Sequence, residues 1–187
     1  MALIDVSYFF GELLVANATV AGGPVGEELQ LYIDKYEKQF LRYTLGHDLA
    51  AAFAAGLLVT PPIEQRWTDL LDGVEFTDQS GRGYTWRGLK PPIDGTSKQS
   101  PIAMYVYFFY QKNLYTQSAG VGEVTTKNEN AVKANPGEKM ARAWNEMSSW
   151  IRDLVWYMNN KRDVYPEWQT NLLWNMQRNF LPVNTLF

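Results

Sequence analysis

The chain has 187 residues, 46% of them hydrophobic, with a net charge of −3 and a pI of about 5.2. That is enough apolar material for one well-buried domain with protruding arms. The acidic balance, with Lys161-Arg162 as its densest basic cluster, gives no general attraction to nucleic acid. Cysteine is absent, which excludes disulfides, thiol catalysis and cysteine-ligated zinc, and the single His47 leaves any metal site to carboxylates.

In chain order, residues 1–24 mix short apolar pieces with Gly22-Gly23-Pro24, and are expected to form an extended arm or strand followed by a turn. The arm would either tuck against the body or reach a neighbouring subunit. It makes a poor signal peptide, because it has no basic start and Asp5 and Glu12 interrupt the apolar stretch. A first helix is predicted from Glu27 to Leu45, with Leu29, Ile33, Tyr36 and Phe40 on one stripe and acids in the first turn, where they suit the helix dipole. Gly46 ends it, a short alanine-rich helix runs from Asp48 to Leu57, and Pro61-Pro62 separates that from a third helix around Ile63 to Leu71.

Between Val74 and Leu89 the apolar period changes to two, on either side of Asp78-Gln79-Ser80-Gly81-Arg82-Gly83, which predicts a β-hairpin. Ser100-Pro101 then reads as an N-cap with proline at the first helical position. The helix that follows to about Gln117 is apolar on nearly every side from Ile102 to Tyr110, which places it at the centre of the core. Residues 118–135 lose all periodicity and are expected to be an extended loop, with Val121 and Val124 able to pair as a strand when a partner edge is present.

A long helix over 136–162 carries the clearest pattern in the chain. Met140, Trp144, Met147, Ile151, Leu154 and Met158 recur at steps of four and three, and Ala143, Trp150 and Tyr157 run beside them at steps of seven. Together they cover one broad apolar face. After Tyr165-Pro166 a last helix, Glu167 to Asn179, would turn Trp168, Leu172, Met176 and Phe180 inward, and an apolar tail ends in Leu186-Phe187. The fold expected is mainly α: a single-domain bundle of about five to six helices with a small inserted β-hairpin and extended arms and loops.

Chemistry-bearing motifs are sparse. His47 follows a helix-terminal glycine, where a histidine commonly completes the helix end, and no nucleophile elbow accompanies it. Gly120-Val121-Gly122 lacks the third glycine of a dinucleotide fingerprint and the Gly-Lys-Ser/Thr of a P-loop. Asp78 to Gly81 lacks the ligand set of a calcium loop and reads as turn chemistry. Carboxylate pairs such as Glu64 with Asp69 have nothing to single them out. Of the seven tryptophans, Trp144 and Trp150 lie on core stripes, while Trp67 and Trp86 stand as candidates for an exposed stacking surface. The expectation is therefore no catalytic, cofactor or metal site. The alternative is a soluble binding module that uses exposed aromatics for a small molecule or glycan.

The order of segments resembles the helical head–tail connector, or adaptor, proteins of tailed bacteriophages. The residues that carry the resemblance are YIDKYEKQFLRYTLGHDLAAAF (32–53), RWTDLLDG (66–73), WRGLKPPI (86–93), SPIAMYVYFFYQKN (100–113), TQSAGVGEV (116–124) and KMARAWNEM (139–147). Together they are similar to a set of phage and prophage proteins of Bacteroidetes-type hosts over most of residues 27 to 160. The resemblance implies a virion structural protein of the neck, made in the host cytoplasm, that assembles as a homo-oligomeric ring under the portal protein. Such a ring contacts other neck and tail proteins, lets DNA pass without binding it specifically, and involves no membrane. Closed rings need head-to-tail interfaces, for which Gly120, Val121, Gly122, Val124, Leu186 and Phe187 are the interface candidates.

Overall fold

The structure, a computed structural model, describes residues 2–59, 64–92, 98–119, 122–125 and 136–169. Four helices lie among them: α1 (Pro24–Leu57), α2 (Gln65–Asp72), α3 (Pro101–Tyr115) and α4 (Pro136–Asn160). Two antiparallel pairs complete the fold, β1 (Val74–Thr77) with β2 (Gly83–Trp86), and β3 (Thr116–Ala119) with β4 (Gly122–Thr125). The mainly helical architecture with an inserted hairpin is as expected, but the helix count is lower than five to six.

One reason lies at Gly46. The two helices expected on either side of it are both present, as the two halves of α1, which follow one another without a loop across a kink where Gly46 takes φ 79 and ψ 176. A residue with a Cβ is strained there, so glycine permits the break without a connecting loop. The other reason is the last expected helix, most of which lies outside the described residues.

Helix α3 sits between α1 and α4 and packs against both. Its residues Ile102 to Tyr107 are buried, as is Tyr110, in line with an all-apolar sequence that leaves no face for water. Ser100 caps it twice over: the Oγ accepts from Ile102 N at 3.1 Å and donates to Leu89 O at 2.8 Å, so the cap also ties down the preceding loop. On the α1 side Tyr36 stacks on Phe109 with centroids 4.5 Å apart, and Tyr32 meets Tyr110 edge-on. On the α4 side Phe108 lies 4.5 Å from Trp144.

The long stripe of α4 faces inward as its spacing dictates. Met147, Trp150, Ile151, Leu154, Tyr157 and Met158 are buried with Ala143, and Met140 and Trp144 are half-buried. Trp150 Nε1 donates to Gly88 O at 2.9 Å, which satisfies the indole in the core. Gly88 has φ +89, and a Cβ there would fall 2.4 Å from Leu71 O, so only glycine lets β2 leave the sheet this close to α2.

The β1–β2 hairpin packs on the second half of α4. Trp86 stacks on Tyr157 at 5.9 Å, and Phe76 meets the same ring edge-on at 5.3 Å. Its turn is held by Asp78, whose Oδ1 accepts from Ser80 N, Ser80 Oγ and Arg82 N at 2.7–2.9 Å. Those bonds hold the Asp78 carboxyl below the usual range and close the turn, the chemistry its sequence led one to expect.

Two expectations about extended segments are corrected. Residues 2–23 are not an extended arm or strand: they form 3-10 turns at Val6–Tyr8 and Gly11–Leu13 and bury Ile4, Tyr8, Phe9, Leu13, Val15 and Ala18 in the main core. The helix expected to reach Gln117 ends at Tyr115, and β3, which follows at once, runs into the stretch expected to be an unpaired loop and pairs there with β4 (Thr116 with Thr125, Ala119 with Gly122), needing no partner's edge.

Candidate functional site

The N-terminal segment is positioned by a charge buried in the middle of α1. Glu37 is 4% exposed, and both its carboxylate oxygens accept from Leu3 N at 2.9 Å, with Ile4 N adding a bond at 3.2 Å. Burial pushes the Glu37 carboxyl up, opposed by these backbone donors and by the chain's amino end, with Asp34 adding to the rise. Further along, Asp5 caps the first 3-10 turn through Ser7 N, and Lys98 Nζ reaches Ser7 Oγ while lying over the Tyr8 ring. The segment is thus pinned at its start by a carboxylate and at its first turn by a lysine.

Pinned this way, Phe10 to Leu13 stand opposite the first half of α4 and leave a cleft of about 360 Å³. Leu13, Met104 and Ala143, all buried, make its apolar part, and Phe10, 67% exposed, forms a lip. Charges of both signs line it: Lys98, Lys139 and Arg142 against Glu12 and Glu146. Lys139, Arg142 and Glu146 stand at i, i+3 and i+7 of α4 and so share one face. Burial raises the Glu146 carboxyl, the Glu12 charge raises it further, and Arg87 opposes both. Among the described residues neither Lys139 nor Arg142 is paired with either glutamate, the ion pairs being Arg66–Glu64, Arg66–Glu167 and Arg87–Asp153. Unpaired charges of opposite sign across an open cleft leave room for a third body between them.

The tryptophans that stood as candidates for an exposed surface are core residues. Trp67 and Trp86 are each 1% exposed. Trp86 Nε1 donates to Leu70 O at 3.2 Å, and Trp67 packs against Phe53 under the guanidinium of Arg66, which lies 3.9 Å from its ring. Tyr84, half-buried, borders a shallow hollow on the hairpin and packs edge-on against Trp156. His47 is exposed on α1 beside the Gly46 break. It is not part of the cleft.

No family model, curated protein or solved structure matches this chain. Among the described residues no group of three or more histidine and acidic side chains gathers as for a metal, and no helix is long and apolar enough to cross a membrane.

Of the interface candidates, Gly122 and Val124 lie in β4, opposite Ala119 and Gln117 of β3. Gly120, Val121, Leu186 and Phe187 lie outside the described residues. Sequence reasoning missed the cleft residues Glu12, Lys139, Arg142 and Glu146. Their one signal was that Lys139, Arg142 and Glu146 keep a common helical face beside the apolar stripe.

Proposed function

We propose that the chain is a virion structural protein, a head–tail connector subunit of a tailed phage that assembles as a ring beneath the portal protein. The observation that carries this reading is the ordered set of six segments between Tyr32 and Met147, which resemble segments of phage and prophage proteins of Bacteroidetes-type hosts and consist of packing and turn residues. Their side chains do scaffold work here: Trp67, Trp86, Tyr105 and Met147 are buried, and Gly46, Gly73 and Gly88 shape turns and crossings. The ring needs no cofactor, and its mechanism is assembly through head-to-tail contacts with its own copies, the portal and the next neck protein.

A second reading, a soluble binding module, has the mixed-charge cleft in its favour. It no longer rests on Trp86. Co-sedimentation with the portal protein of the same genome tests the first reading: a stoichiometric complex supports it, and a chain that stays in the supernatant counts against it.

A further inference from the structure

If the chain is an assembly subunit, its head-to-tail contact requires two unlike patches on different sides of one molecule, one to give and one to receive. The cleft on α4 is one such patch. It offers an apolar hollow rimmed by exposed Lys139 and Arg142, with Lys98 at its end. Phosphate backbones are poor occupants, because Glu12 and Glu146 would face them, and a bare metal ion is repelled by the three cations. A protein surface that brings acids around an apolar side chain fits better.

This chain carries such a surface on the outward face of α1. Leu31 is 69% exposed, and at helical spacing it has Glu27 and Glu28 one turn before it and Asp34 and Lys35 one turn after, so three acids outnumber one cation around it. Lys38, exposed one turn further on, supplies the charge that Glu12 and Glu146 ask for. The buried stripe Leu29, Ile33 and Phe40 faces α3, so the Leu31 face points away from it. Because α1 and α4 lie on different sides of α3, the acidic face and the cleft cannot meet within one molecule.

We propose that the cleft between the N-terminal segment and α4 receives the Leu31 face of α1 from a second copy of this chain, with Glu27 and Asp34 meeting Lys139 and Arg142. The contact is heterologous, so repetition generates a ring or a filament, and it rests on the assembly reading above. It depends on charge at its rim and weakens as salt is raised.

Two doubly reversed variants test it, Lys139→Glu/Arg142→Glu and Glu27→Lys/Asp34→Lys. All four positions are exposed, and circular dichroism checks that each variant keeps the fold. By mass photometry each alone is expected to lose self-association by about tenfold or more. Mixed in equal amounts they are expected to recover it, because the reversed cleft accepts the reversed face and the native cleft accepts the native one. Either variant assembling like the wild type overturns the proposal, and so does a mixture no better than its parts. Rings that persist in both variants overturn this contact and leave the connector reading standing. Absence of assembly in the wild type, with and without portal protein, removes both.

Discussion

Replacing Glu37 by alanine should free the N-terminal segment from the body. The carboxylate is 4% exposed and is the acceptor for Leu3 N and Ile4 N. Leaving a buried N–H without a partner costs about 1–3 kcal/mol, and bonds to a charged acceptor lie towards the upper end. Two such donors would give several kcal/mol, but relief of the buried charge offsets part. The segment can also swing out to water, at the cost of exposing Ile4, Tyr8 and Phe9. The net loss expected is about 2–3 kcal/mol, which for a chain of this size lowers Tm by about 5–10 °C. Glutamine keeps one acceptor oxygen and turns an amide towards the second donor, so Glu37→Gln should cost about 1 kcal/mol.

The pH dependence separates this account from simple loss of packing. The folded-state carboxyl of Glu37 is raised above its unfolded value. Its contribution is therefore fully present below the unfolded pKa and is lost as pH rises through the folded pKa. Gln has no such term, so the deficit of Glu37→Gln should widen as pH falls from 7 towards 4. Thermal melts over that range, with hydrogen exchange of residues 2–9, make the measurement. A Glu37→Ala variant with unchanged Tm and unchanged protection of Leu3 and Ile4 would refute the anchoring role.

Other expectations follow from the same geometry. Trp86→Ala removes a ring that packs on Tyr157 and a bond to Leu70 O, so it should cost about 3–5 kcal/mol in a denaturant titration; a wild-type midpoint would show that this side chain is not a core residue. Gly56→Ala places a Cβ 2.0 Å from Trp67 Nε1, so despite alanine's better helix propensity it should destabilise by about 1–3 kcal/mol, and a gain in Tm would contradict that packing. Asp78, whose carboxyl is held low by the hydroxyl of Ser80 and the backbone of Arg82, contributes stability above its unfolded pKa and loses it as pH falls through the folded pKa. Hairpin amide signals should therefore shift at a lower pH than those beside an ordinary aspartate, and coincident midpoints would argue against the Asp78 bonds.

Much of the scaffold is legible in the sequence because it is written in local periods. The steps of four and three along α4, the unbroken apolar run of α3 and the Ser100-Pro101 start each depend on residues a turn apart. Gly46 is legible as a break, and α1 does kink there; that no loop separates its two halves depends on how they share the core. The burial of Trp86 follows from which hairpin face meets Tyr157, and alternation alone does not choose between faces. The docking of Leu3 and Ile4 depends on Glu37, more than thirty positions away, and the cleft lies where the segment that follows stands opposite Lys139 and Arg142. Contacts of that range leave no local mark. β3 and β4 carry few β-branched or aromatic residues, so their pairing is likewise faint in composition.

The most direct test of the assembly account is negative-stain electron microscopy with mass photometry, on the protein alone and mixed with the portal protein of its own genome. The account predicts rings, or a discrete complex of fixed stoichiometry with the portal. A persistent monomer that ignores the portal would contradict it.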